Sequence, residues 1–160
     1  MGEAYGVGDV TTICYRDGVM AGDTSVFDRG VYCGEVLKIG RAADGTVGGA
    51  AGALAVLSRM TKWLDAGAVG EPETIPRDED SEMIWVRPDG SVWWMGPDSI
   101  ATQINGEYFA IGSGFKLAIG AMAFGASAMQ AVEICADLDI MTRRPIQALT
   151  LGAAMQEAAE

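Results

Sequence analysis

The chain of 160 residues contains no histidine. A Ser-His-Asp or Cys-His catalytic site is therefore excluded, and a zinc site would lack its usual nitrogen ligand. Any hydrolytic chemistry must draw on another base. Cations are also scarce: 11 Lys and Arg stand against 22 Asp and Glu, a formal net charge of −11. That balance argues against nucleic acid and against an anionic membrane surface, both of which require clustered Lys and Arg. Cysteine is confined to Cys14, Cys33 and Cys135. An odd number at wide spacing reads as small buried side chains in a reducing compartment, and the expected location is cytoplasmic. No apolar run reaches the roughly 18 residues of a membrane-spanning helix. The longest, 117–129, is interrupted by Gly120, Gly125 and Ser127. The opening MGEAYGVGDV has neither a basic region nor an apolar core, so no secretory signal is expected. There is no P-loop pattern, and no cofactor is called for.

What remains is an ordinary globular composition, 49% hydrophobic and 21% charged, in a length suited to one domain with a real core. Short β-rich runs at 11–16 (TTICYR) and 19–22 (VMAG) flank Asp17-Gly18, a hairpin signal. Two more short strands are predicted at 31–33 and 36–39. The apolar, glycine-rich stretch 46–51 leads into an amphipathic helix over 53–66, with Ala53, Val56, Leu57, Met60 and Leu64 on one face and Gly67 as its stop. Residues 67–80 read as a polar surface loop. A second hairpin is predicted from 83–86 and 92–95 around Pro88-Asp89-Gly90, with Trp85, Trp93 and Trp94 as packing residues. A strand at 108–111 precedes a helix over 115–124. A second helix starts at Ser127, where Ser127 and Gln130 form a capping box, and runs to about 138. Pro145 bars further helix, and 146–151 reads as a last strand. Antiparallel strands interrupted by helices predict an α+β layered domain.

Several of these fragments, taken in order, are specific. TTICYRDGVMAGD (11–23), GEVLKIGR (34–41), VGGAAG (47–52), AIGSG with AIGAM and GASAMQAVEIC (110–135), and DIMT (139–142) together resemble the proteasome β-subunit and HslV family of N-terminal-nucleophile threonine peptidases. The resemblance implies a four-layer αββα sandwich spanning 11–152, with 1–10 as an extension or propeptide-like segment and 153–160 as a tail. It also implies a threonine-type endopeptidase whose subunits form a self-compartmentalising homo-oligomeric ring acting on peptides or unfolded proteins. An ATP-dependent unfoldase partner follows by analogy only. A stand-alone bacterial or phage relative would have about this size.

The resemblance assigns roles that have a physical logic. Thr11 would be the nucleophile. Its own α-amino group, once free, has a pKa of about 8 and could accept the hydroxyl proton, which removes the need for histidine. Lys38 would place a positive charge beside the threonine oxygen, and Asp23 would hold Lys38 in place. The Gly49 N–H would be the oxyanion donor. Ser113 and Asp139 would orient the terminal amine and a water, with Thr142 as a weaker member. Substrate pockets would be shaped by 24–34 and 48–54, with Tyr32 and Cys33 lining one.

Each residue also has a plain reading. Thr11 and Thr12 are β-formers, Lys38 a solvated strand lysine, and Asp23 a turn residue. Gly49 could serve packing, Ser113 could be a helix N-cap, and Asp139 a helix-terminal residue with Asp137 as its competitor. Three departures from the family pattern stand out: a short first hairpin, Arg143-Arg144 where small residues are usual, and a peptide bond joining Thr11 to β-branched Val10. Translation from a valine start codon at position 10, followed by methionine removal, would expose Thr11. The alternative is a catalytically silent structural or assembly subunit with Thr11 capped by residues 1–10.

Overall fold

The computed structural model describes residues 11–152 apart from 78, 98 and 140. The extension 1–10 and the tail 153–160 lie outside the described residues. The first strand, β1 (Thr12–Arg16), alternates between two environments. Ile13 and Tyr15 enter one apolar cluster and Cys14 the opposite one, as the two-residue strand period requires. Its hairpin partner β2 (Val19–Gly22) does the same with Met20 and Ala21. The turn between them places Asp17 and Gly18 at φ 50° and 78°, the left-handed pair that a tight hairpin favours.

β3 (Ser25–Asp28) and β4 (Val31–Glu35) form a separate two-stranded ribbon. β5 (Ile39–Arg41), β6 (Val47–Ala51), β7 (Glu82–Val86), β8 (Val92–Met95) and β9 (Thr102–Ile104) form a five-stranded antiparallel sheet in chain order. β10 (Tyr108–Gly112) and β11 (Gln147–Thr150) flank the first hairpin in a four-stranded sheet ordered β10-β1-β2-β11. The helices are α1 (Leu54–Asp65), α2 (Phe115–Ala123) and α3 (Ala128–Leu138). The chain is thus an α+β fold.

Three apolar clusters hold it together. α1 buries Val56, Leu57, Met60 and Leu64 against Met83, Trp85 and Met95 of the five-stranded sheet. Ile13, Met20, Val47, Ile84, Val86 and Ile111 fill the space between the two large sheets. Cys14 and Ala21 meet Ala118, Met122, Ala131, Val132 and Cys135 from α2 and α3. Small residues in this last cluster let the helices approach the strands closely. The capping box opens α3 as expected: the Gln130 N–H donates to Ser127 Oγ at 3.1 Å, and the Ser127 N–H donates to Gln130 Oε1 at 2.9 Å. No helix among the described residues is long and apolar enough to cross a membrane.

Several local expectations need correction. The strand expected at 36–39 begins only at Ile39, because Leu37 is exposed and Lys38 is buried, the reverse of their usual partition. β3 and β9 are additional strands, too short and polar to register as periodic. Segment 67–80 is not wholly a surface loop, since Ala68 and Ile75 pack into the α1 cluster. Cys33 is not buried: it lies exposed on β4.

Candidate active site

Thr11 immediately precedes β1 and is 2% exposed. Beside it, Thr12 is fully buried and ties the start of β1 to the end of β2: the Thr12 N–H donates to Asp23 Oδ1 at 2.9 Å, and the Asp23 N–H donates to the Thr12 carbonyl at 3.2 Å. Asp23 follows β2 by one residue and is itself 0% exposed. Its second oxygen, Oδ2, accepts from Lys38 Nζ at 3.0 Å, with the lysine 2% exposed. Oδ2 lies 2.6 Å from the Ser25 hydroxyl and accepts from the Ser25 N–H at 3.3 Å. A buried carboxylate carries a large desolvation cost, and here several donors offset it. Burial also pulls the Lys38 ammonium below its ordinary range, while the adjacent Asp23 pulls it back up.

Gly49 lies in the middle of β6, opposite Ile39 of β5 and Ile84 of β7. A Cβ there would lie 2.6 Å from the Lys38 carbonyl, 2.8 Å from Ile39 Cγ2 and 2.9 Å from Ile13 Cδ1. The packing reading of this glycine therefore holds, and it holds next to Lys38. Gly112 is constrained twice over: its φ is +98°, and a Cβ would run into the Thr11 carbonyl.

Ser113 does not cap α2, whose N-cap is Gly114 without a side-chain bond. Its hydroxyl donates to the Thr11 carbonyl at 3.4 Å. Asp139 is the C-cap of α3, and its carboxylate accepts from the Met141 N–H and the Thr142 hydroxyl, each at 3.0 Å. Thr142 Oγ1 in turn lies 3.4 Å from Thr12 Oγ1. The competitor Asp137 points elsewhere, into an exposed ion pair with Arg144 at 3.0 Å. Asp23 and Lys38 thus meet at the start of β1 through the Thr12 N–H, with Gly49 packed against the Lys38 carbonyl, while Ser113 reaches the Thr11 carbonyl and Asp139 reaches Thr12 through Thr142.

Ser25 was absent from the sequence-based set. A serine two residues beyond an aspartate carries no distinguishing pattern, and only its burial and contacts separate it from a turn serine. Cys14 and Cys135 are disfavoured as nucleophiles: burial raises both thiols, a hydrogen bond with Thr12 offsets part of this at Cys135, and the nearby Asp23 raises both further. Among the described residues, no group of three His, Cys, Asp or Glu is placed to hold a metal ion. Tyr32 packs edge-on against Phe27, and Arg143 stacks over both rings. That stacking gives the first of the two unusual arginines a local role.

No protein-family model matches the chain, and no curated protein matches it. Solved structures do. The Thiobacillus denitrificans BPH in complex with epoxomicin is similar with a TM-score of 0.61 at 16% identity, covering 88% of this chain and 98% of that one. The eukaryotic HslV of Trypanosoma brucei is similar with a TM-score of 0.60 at 16% identity, covering 87% of this chain and 99% of its own. The fold is that of HslV and proteasome-like proteins, the family that the ordered motifs resemble.

Proposed function

We propose that this chain is a threonine-type peptidase subunit whose nucleophile is the Thr11 hydroxyl, active once Thr11 carries a free α-amino group. The observation that carries the reading is the Lys38–Asp23 pair: a lysine 2% exposed, bonded at 3.0 Å to a carboxylate that also accepts the Thr12 N–H. A buried ion pair is a poor device for stability. In this reading it holds a positive charge at the start of β1, where the Thr11 hydroxyl must lose a proton. In the reaction the hydroxyl adds to the substrate carbonyl and its proton passes to the α-amine. The Gly49 N–H stabilises the oxyanion, and the leaving amine takes the proton as the C–N bond breaks. Water then hydrolyses the Thr11 ester. Ser113 and Asp139, with Thr142, orient the amine and that water.

The stacking of α1, the five-stranded sheet, the four-stranded sheet and the α2–α3 pair is, in this reading, an αββα sandwich over residues 11–152. Homo-oligomeric ring assembly, peptide or unfolded-protein substrates, a cytoplasmic setting and an unfoldase partner belong to the same proposal.

A second reading is supported by the burial of Thr11, which is 2% exposed in a chain where Val10 occupies its nitrogen. In that form the protein is a silent structural or assembly subunit. The two readings separate by intact mass after incubation with a peptide epoxyketone, using a chain released from a cleavable fusion so that it begins at Thr11. The peptidase reading expects one adduct and turnover of fluorogenic peptides, both lost in Thr11→Ala. No adduct on the chain beginning at Thr11 would overturn it and leave the silent subunit.

A further inference from the structure

Ser25 sits at the first position of β3 and is 1% exposed. Its Oγ lies 2.6 Å from Asp23 Oδ2 and 2.9 Å from the Met141 carbonyl. A hydroxyl has one proton to donate, and the shorter contact, to the ionised acceptor, takes the larger share. That acceptor oxygen is the one that also receives Lys38 Nζ. Met141 belongs to the segment that carries Asp139 and Thr142: its N–H donates to Asp139, and it precedes Thr142. One small side chain therefore touches both the Lys38–Asp23 pair and that segment. The same junction is clasped twice more. Thr24 Oγ1 donates to the Pro145 carbonyl at 2.7 Å, and the Arg143 guanidinium lies 5.6 Å and 4.6 Å from the ring centres of Phe27 and Tyr32.

We propose that Ser25 is a positioning residue that locks the Lys38–Asp23 pair to the 139–142 corner and moderates the pull of Asp23 on the Lys38 ammonium. The catalytic consequence rests on the peptidase reading; the electrostatic one does not. The positive end of the hydroxyl dipole points at the oxygen that Lys38 also uses. Without it the carboxylate charge is less shared, and Asp23 favours protonated Lys38 more strongly. Among the described residues, the thiols of Cys14 on β1 and Cys135 on α3 both feel Asp23, and Cys135 also feels Asp139 at the end of α3. Burial keeps both thiols protonated, so they do not compete for the charge.

The test uses the full chain labelled with 13C at lysine Cε. Lys38, Lys62 and Lys116 are its three lysines, so three signals are followed by NMR as pH rises, with Lys38→Met assigning one of them. The exposed Lys62 and Lys116 give the internal comparison. In Ser25→Ala the Lys38 midpoint moves up, and Ser25→Thr, which keeps the hydroxyl, returns it toward the parent value. In the chain beginning at Thr11, Ser25→Ala lowers kcat by about tenfold with KM unchanged, the loss expected for one hydrogen bond to a charged group. A merely structural role would lower Tm without moving the Lys38 signal. A Lys38 midpoint that stays or falls in folded Ser25→Ala overturns the proposal, and an upward shift without loss of kcat overturns its catalytic half. A parent chain without turnover refutes the peptidase reading, while the NMR result still decides the role of Ser25.

Discussion

Replacing Lys38 by methionine removes a charge while keeping most of the side-chain volume. The lysine is 2% exposed and its partner Asp23 is 0% exposed, so the carboxylate left behind keeps its desolvation cost without its counter-ion. Breaking a buried pair in this way costs about 3–5 kcal/mol. Asp23 would still accept the Thr12 N–H at 2.9 Å and face the Ser25 hydroxyl at 2.6 Å. Those charge-assisted bonds place the expected loss at the lower end, about 3 kcal/mol. With a urea m-value of about 2 kcal/mol/M, the unfolding midpoint falls by about 1.5 M. Tryptophan fluorescence reports the transition, since Trp85 is buried and lies edge-on to Trp63. The double variant Lys38→Met with Asp23→Asn removes both charges. It should be more stable than the sum of the two single losses implies, by about 1–3 kcal/mol. A midpoint shift under about 0.3 M for Lys38→Met, the range of an ordinary surface substitution, would refute the reasoning. Strict additivity in the double variant would refute it equally.

Gly49→Ala inserts a methyl group 2.6 Å from the Lys38 carbonyl oxygen, a backbone atom that cannot swing aside as a side-chain end could. A loss of about 1–3 kcal/mol or more is expected in urea unfolding, together with loss of epoxyketone labelling in the chain beginning at Thr11. The pH dependence follows from the lowered Lys38 value. Between the folded value and the ordinary lysine value of 10.5, the unfolded chain binds more protons, so stability contributed by this group rises with pH across that window. Activity falls in the same window as the ammonium is lost. Urea midpoints and rate–pH profiles should therefore run in opposite directions there, and the stability component should vanish in Lys38→Met. Thiol chemistry gives a simpler check: Cys33 is exposed, whereas Cys14 and Cys135 are buried with raised thiols. A disulfide reagent should titrate one thiol in the native chain at neutral pH and three after denaturation.

The elements legible in one dimension are those with local determinants. The hairpin turn at Asp17-Gly18 needs residues tolerant of positive φ, and the structure has φ 50° and 78° there. α1 announces itself through the spacing of Val56, Leu57, Met60 and Leu64, and α3 through the Ser127–Gln130 box. β3 and β9 carry no comparable signal, because a strand of three or four mixed residues is stabilised by its neighbours and not by its own pattern. The 36–39 segment misleads for a related reason: hydropathy assigns Leu37 to the core and Lys38 to water, and the fold does the opposite.

By itself the sequence determined what chemistry is available. The absence of histidine excludes the common triads, and the order of Thr11, Asp23, Lys38, Gly49, Ser113 and Asp139 along the chain carries the resemblance. Only the tertiary structure decided which of these meet. It put Asp23 and Lys38 in a shared buried bond, chose Asp139 over Asp137 for the contact with Thr142, and brought in Ser25 as the link between them. The physical reason is that burial is a non-local property. A charged side chain defaults to water, and its burial depends on partners 15 to more than 100 positions away, such as Asp23 for Lys38 and Met141 for Ser25.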